Sequence, residues 1–211
     1  NQFAIGIPTI NRGIDLLYPS LMMYAKRDFP NTKIYIIDNG NQGLKIKMDA
    51  FPNIEVIEEE TNIGVAASWN KLCNIIFENH KYAYILNDDI YLGHNEAAVN
   101  EVIKKNKSGF IQAQSTWAAF IISQSVYKKV GDFDSSFYPA YFEDNDYIYR
   151  MKLANINIEQ SMRLIPMVMR HSSSLTKDPS LNKDFLKNKN RFIDKWGGEP
   201  KKEKFKTPYN K

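Results

Sequence analysis

Along the first half of the chain, short apolar runs alternate with stretches whose apolar residues recur every three or four positions. The short runs are Phe3 to Ile7, Lys33 to Ile37, Ile54 to Glu58 and Tyr82 to Leu86; rich in β-branched and aromatic residues, they predict strands. Between the third and fourth, Val65, Trp69, Leu72, Cys73 and Ile76 fall at i, i+4, i+7, i+8 and i+11, which puts one apolar stripe on a helix. Thr61 or Asn62 is the expected cap of that helix. An earlier helix within Asp15 to Lys26 contains Pro19, which marks either its first turn or a kink. Strand, helix and strand in succession are the signature of a parallel sheet with crossover helices.

After Asp89 the rhythm is mixed. Gly109 to Ser115 and Ala118 to Ile122 read as strands, and Ser123 to Val130 reads as a short helix stopped by Gly131. A helix from Asp144 to Ala154, strands near Ile156 to Gln160 and Met167 to His171, and an amphipathic helix from about Lys183 to Trp196 complete the pattern. Beyond Gly197 the Lys- and Pro-containing tail has little to bury. There are no internal repeats and no low-complexity tracts.

At 211 residues the chain suits one well-buried core. The expected organisation is a single catalytic domain over 1–198, then a basic tail or linker over 199–211. No apolar run approaches the roughly 18 to 20 residues needed to cross a bilayer. The single cysteine, Cys73, excludes an internal disulfide and fits a reducing compartment, so a soluble, cytoplasmic protein is expected. The chain opens in a strand without an initiator Met or a signal-peptide pattern, as a piece of a longer protein with further domains would. The net charge of +4 is uneven: eleven basic and five acidic residues lie from Lys177 to Lys211, leaving the rest at −2. Without a nucleic-acid motif this is read as a solvated basic helix and tail, and no nucleic-acid partner is expected.

Candidate chemistry collects at strand ends. The run YAYILNDDIYL stops at Asn87, Asp88 and Asp89, and ligands of open α/β sheets bind beyond the carboxyl ends of strands, where acids offer hard oxygens to a divalent cation. A solvated turn is the simpler reading of this segment alone. Pro8, Thr9, Ile10, Asn11 and Arg12 follow the first strand, and Arg12 suits a phosphate, although Thr9 or Asn11 also reads as a helix cap. Asp38, Asn39 and Gly40 follow the second; Asp38 suits the N–H of a base or an ordinary Asx turn. Asn62, Gly64, Ser68 and Asn70 lie around a helix N-terminus, where anions are favoured, but without the glycine spacing of a nucleotide fingerprint. The segment GDFDSSFYPAYFEDNDYIYR is dense in acids and aromatics, so Glu143 and Asp144 would open a helix beside Phe133, Phe137, Tyr138, Tyr141 and Phe142. A carboxylate so walled is a candidate general base; capping acids with core aromatics are the alternative. His171 gains meaning only if its strand ends near Asp89.

In order and spacing these pieces resemble the GT-A glycosyltransferases of the inverting, family-2-like group, from Ile5 to about Gly198. The matching elements are IPTINR, IDNG, NIGVAASWN, ILNDD, GDFDSSF with FEDNDYIYR, and RHSSS followed by KWGG. The resemblance implies a nucleotide-diphospho-sugar transferase fold, with a mixed, mostly parallel central sheet flanked by helices. It implies transfer of a hexose or deoxyhexose from a UDP-sugar to a glycan or glycoprotein acceptor, with Mn²⁺ or Mg²⁺ as cofactor. Asp144 would be the base and Asp38 would read uracil. Pro8, Thr9 and Arg12 would flank the nucleotide, while Asn62, Gly64 and Asn70 would line the donor pocket. Asp88 would hold ribose, and Asp89 and His171 the metal. Trp117, Tyr141, Phe142 and Glu143 would lie on the acceptor side. Asn87 departs from the usual first acid of the metal motif, a neutral amide being a weaker ligand. The alternatives are a non-catalytic carbohydrate or nucleotide-sugar module and a sugar nucleotidyltransferase, which would want a glycine-rich loop where IPTINRG stands.

Overall fold

A computed structural model describes the backbone of residues 1–168 and 181–211. Seven strands form one sheet in the order β3-β2-β1-β4-β7-β6-β8. β1 (Phe3–Ile10), β2 (Ile34–Asn39), β3 (Ile54–Glu59) and β4 (Tyr82–Leu86) are mutually parallel. β7 (Thr116–Ser123) runs antiparallel to β4 and to β6 (Phe110–Ala113), and β8 (Glu159–Ser161) runs parallel to β6. A two-stranded ribbon pairs β5 (Ile90–Leu92) with β9 (Pro166–Val168). The expected strand Met167 to His171 thus begins in β9, and its remainder lies outside the described residues.

Alternation along β1 divides the core between the sheet's two faces. Phe3, Ile5 and Ile7 join Leu17, Leu21 and Tyr24 around α1 (Tyr18–Tyr24) and Val99, Val102 and Ile103 of α4 (Glu96–Lys105). Ala4 faces the other way, with Trp69, Leu72, Cys73 and Ile76 of α3 (Val65–Phe77), Val126 of α5 (Gln124–Val130) and Tyr147 of α6 (Glu143–Leu153). Each fully buried aliphatic side chain in these layers stabilises by about 1.5–3 kcal/mol. Gly6 lets α3 press onto the sheet, because a Cβ there would sit 3.0 Å from Ile85 Cδ1 and 3.2 Å from Leu72 Cβ. A third cluster, Phe137, Phe142, Tyr149, Phe192 and Trp196, joins α6 to α7 (Leu181–Trp196).

Pro19 occupies the first turn of α1, after a π-helical turn over Gly13–Leu17. Neither Thr61 nor Asn62 caps α3: Gly64 is its N-cap, and the Val65 N–H donates instead to the Pro139 carbonyl at 2.8 Å. Two helices were not anticipated. α4 starts on Asn95, whose side chain accepts from the Ala98 N–H, but it buries only three side chains; α2 (Leu44–Met48) spans little more than a turn. The tail doubles back, Lys204 and Phe205 donating to the Trp196 carbonyl and Tyr149 Oη to the Phe205 carbonyl. No helix among the described residues is long and apolar enough to cross a membrane.

Candidate functional site

The carboxyl ends of β1, β2 and β4 open into a cavity of about 590 Å³, closed on the far side by the segment that enters α6. Pro8, Thr9 and Arg12 line it from β1 and the following loop, Asn39 from β2, Asn87 and Asp88 from the end of β4, and Thr116, Trp117 and Ala118 from β7. Asn62, Gly64 and Trp69 come from α3 and its approach, and Tyr141, Glu143 and Asp144 from the α6 segment.

On the β1 side, the Thr9 hydroxyl donates to Asp88 Oδ2 at 2.7 Å, tying the first and fourth strand ends together. Desolvation pushes the Asp88 carboxyl up to about 6 against the Thr9 bond and the nearby Arg12 charge, and Asp89 adds to the rise. Arg12 Nε meets Asp15 at 3.2 Å, while its buried Nη1 has no hydrogen-bond partner among the described residues.

Opposite, Tyr141 and Phe142 hold φ of +77° and +74°, a left-handed turn uncommon for aromatic residues that aims the start of α6 at the cavity. Glu143 is 6 % exposed, and burial, followed by repulsion from Asp144, raises its carboxyl to about 8. Asp144 is also raised by desolvation; its Oδ1 accepts from the backbone N–H and the Nδ2 of Asn145, both at 2.7 Å. Gly64, at φ +82°, gives this wall its close approach, since a Cβ would stand 2.9 Å from the Tyr138 ring. Asn62 Oδ1 accepts from the Gly64 N–H, and its carbonyl from Tyr138 Oη.

Other expected site residues lie elsewhere. Asp38 is fully buried outside the cavity lining, its carboxylate accepting from the Gln42 backbone N–H, Gln42 Nε2 and the Leu44 N–H. Asn70 clamps the backbone of Phe133 from both sides, at 2.8 Å each way, and does not line the cavity. Phe142 turns into the α6–α7 cluster. Asp89 follows Asp88, half-buried and outside the lining. His171 lies outside the described residues. The acidic segment also divides: Asp146 faces inward, accepting from Arg150, Trp196 Nε1 and Lys195 Nζ, and so serves the α6–α7 contact.

Asn39 and Trp69 line the cavity as well, although the sequence reading gave neither a role in the site. Asn39 braces β2 to α3 by donating to Ser68 Oγ and accepting from the Ile63 N–H. Trp69 carries the helical periodicity of a core residue and is one, at 3 % exposure, yet it also borders the cavity. A second hollow of about 380 Å³, around Ser108 and Asn157, holds Glu159, whose carboxylate is occupied by the Lys107 and Ser108 N–H groups.

No three His, Cys, Asp or Glu side chains among the described residues converge as a metal cage. A hard cation bound through one or two carboxylates, with ligand phosphate oxygens completing its shell, needs no such cage, and the adjacent Asp88 and Asp89 fit that donor set.

No protein-family model matches the chain, and no curated protein matches it in sequence. Its fold, however, is similar to solved structures. A mannosyltransferase from Pyrobaculum calidifontis in complex with GDP-Man and Mn²⁺ superposes with a TM-score of 0.68 at 10 % identity, over 91 % of this chain and 64 % of that one. GalNAc-T7 with UDP, GalNAc and Mn²⁺ gives 0.71 at 14 % identity, over 95 % and 49 %. Glucosyl-3-phosphoglycerate synthase from Mycobacterium tuberculosis, with Mn²⁺, UDP and glucosyl-3-phosphoglycerate, gives 0.62 at 9 % identity, over 89 % and 78 %. The chain has the GT-A fold, and it spans about two thirds and one half of the length of the first two of these proteins.

Proposed function

We propose that the chain is a metal-dependent inverting glycosyltransferase that moves a hexose or deoxyhexose from a UDP-sugar to a hydroxyl of a glycan acceptor. The observation that carries this reading is the pairing, across one cavity, of a polar strand-end side suited to a nucleotide (Thr9, Arg12, Asp88) with buried carboxyls at the start of α6 (Glu143, Asp144). That the three fold neighbours hold Mn²⁺ with a nucleotide or nucleotide sugar adds support. Residues 1–198 are read as the catalytic unit, and 199–211 as a basic tail or linker.

Asp88 holds the ribose, and Arg12 directs its Nη1, which has no partner among the described residues, to the diphosphate. A divalent ion, Mn²⁺ or Mg²⁺, would be held by Asp89 beside Asp88 and would supply Lewis-acid neutralisation of the leaving diphosphate. Asp144 takes the proton of the acceptor hydroxyl as its oxygen bonds to the anomeric carbon. The bond from that carbon to the diphosphate breaks in line, its electron pair leaving with the diphosphate, and configuration inverts. Desolvation, which raises Asp144, makes it a stronger base than an exposed aspartate, and the aromatic wall around Tyr141 limits attack by water.

The test is a panel of nucleotide sugars incubated with purified protein and Mn²⁺, with and without EDTA. Hydrolysis or transfer that EDTA abolishes is expected for at least one UDP-sugar. No turnover across the panel, with or without glycan acceptors, would leave a binding module as the better reading.

A further inference from the structure

Buried polar atoms without partners are rare in folded proteins, and four of them belong to residues lining this cavity, Arg12 Nη1 on the strand-end side and three more beyond it. Trp69 Nε1, Trp117 Nε1 and Glu143 Oε2 have no hydrogen-bond partner among the described residues, and all three side chains line the same space. The two indoles stack, with ring centroids 6.1 Å apart and planes at 24°, so both rings belong to one wall. Each such unmade bond carries a desolvation cost that a bound ligand offering the missing partners would relieve. The wall lies next to the acidic strand end: Trp117 precedes Ala118, whose carbonyl accepts from the Asn87 N–H at 2.8 Å. Trp69, Trp117 and Asp88 line the same cavity, so a group attached to a diphosphate bound beside that strand end would have the indoles within its reach.

Building on the glycosyl-transfer reading, we propose that Trp69, Trp117 and Glu143 form the subsite for the transferred sugar and select an uncharged ring by its hydroxyl groups. An indole N–H only donates, so it requires an acceptor, whereas Glu143 Oε2 can receive a proton donor. A sugar hydroxyl is both, and neighbouring hydroxyls on one ring satisfy the indoles and the carboxyl together. A sugar acid would bring a further carboxylate beside Glu143 and Asp144, and the one cationic side chain among the described lining residues is Arg12, across the cavity. Its charge would be buried without compensation. A ring lacking the contacted hydroxyl would leave the buried donors unmatched, the kind of mismatch that discriminates most strongly.

The experiment compares binding of UDP, GDP, UDP-glucose, UDP-galactose, GDP-mannose and UDP-glucuronic acid, with Mn²⁺, to the intact protein, Trp117→Phe and Glu143→Met. Phe keeps the ring and removes the N–H; Met keeps the length and removes both oxygens. The intact protein is expected to bind one of the neutral-sugar nucleotides at least tenfold more tightly than UDP-glucuronic acid. Each variant should lose about tenfold for that donor while its affinity for the bare nucleotide stays within about twofold. Unchanged donor affinity in both variants would overturn the proposal, as would preferred binding of UDP-glucuronic acid or an equal loss for the bare nucleotide. A loss confined to glycan acceptors would do so too. If neither UDP nor GDP binds with Mn²⁺, the glycosyl-transfer reading itself fails, and the subsite with it; bare-nucleotide binding without sugar dependence removes the subsite alone.

Discussion

The two carboxyls that open α6 stand side by side, yet the fold gives them different surroundings. Asp144 has a hydrogen-bonded oxygen, whereas Glu143 keeps one in a buried setting with no partner among the described residues. Asp144→Asn is expected to cut turnover at least a hundredfold with nucleotide affinity nearly intact, as single-turnover kinetics and titration with UDP would show. Because desolvation raises Asp144, the acidic limb of the rate profile should lie above the ordinary aspartate value of 3.8. Glu143 makes a separate prediction about stability. Below its ordinary value of 4.5 both folded and unfolded chains hold the proton; between there and about 8 only the folded chain retains it. The folded state then binds more protons, so this group's contribution is fully present below 4.5 and is lost as pH rises to about 8. Glu143→Gln lacks that loss. Urea denaturation should therefore show the variant gaining on the parent between pH 5 and 8, by at most about 1.4 kcal/mol per pH unit.

At the scale of elements, the α6–α7 contact sets where those carboxyls stand. Asp146 is fully buried and binds Arg150 at 2.8 Å, Trp196 Nε1 at 2.8 Å and Lys195 Nζ at 2.6 Å, and Lys195 also reaches Asp134 at 2.7 Å. Asp146→Ala would leave an almost buried lysine with one carboxylate and the indole N–H with none. A loss of about 3–5 kcal/mol in denaturant unfolding is expected, with weakened activity as α6 loosens. The helix was legible in the sequence to within one residue, since its acids at the start and its aromatics spell out a dipole-stabilised amphipathic segment. That Asp146 turns inward was not legible. That depends on α7, which arrives from some fifty residues along the chain. α4 was missed because its apolar face is narrow and its charges dilute the pattern. Gly64→Ala belongs to this scale as well. With φ at +82° and Tyr138 2.9 Å from the new Cβ, it should shift the 138–141 wall and reduce donor affinity more than it reduces helix content.

For the whole molecule, a ligand that bridges the β4 end and the α6 segment joins parts otherwise held by the sheet and by α7. UDP with Mn²⁺ at a hundred times its Kd is expected to stabilise the fold by about 2.7 kcal/mol, a rise of several degrees in thermal unfolding that EDTA should reverse. No rise with either nucleotide would count against the cavity as the donor site. The closing wall explains why a chain with ordinary composition and no glycine fingerprint still forms a concentrated site: the strand ends supply polar groups and the α6 segment shields them from water.

The sequence by itself determined the parallel half of the sheet, the stripe of α3 and the concentration of polar residues after β1, β2 and β4. Those features follow from local periodicity and from the habit of strands to end in turns, and both are written in neighbouring residues. Only the tertiary structure decided the fate of individual polar side chains. Asp38 is taken up by Gln42 and Leu44 and Asn70 by Phe133, whereas Trp69 and Asn39, read as core and turn, border the cavity. The physical reason is that a hydrogen-bonding group is satisfied by whatever the fold brings within about 3 Å, and those partners are set by contacts between distant segments.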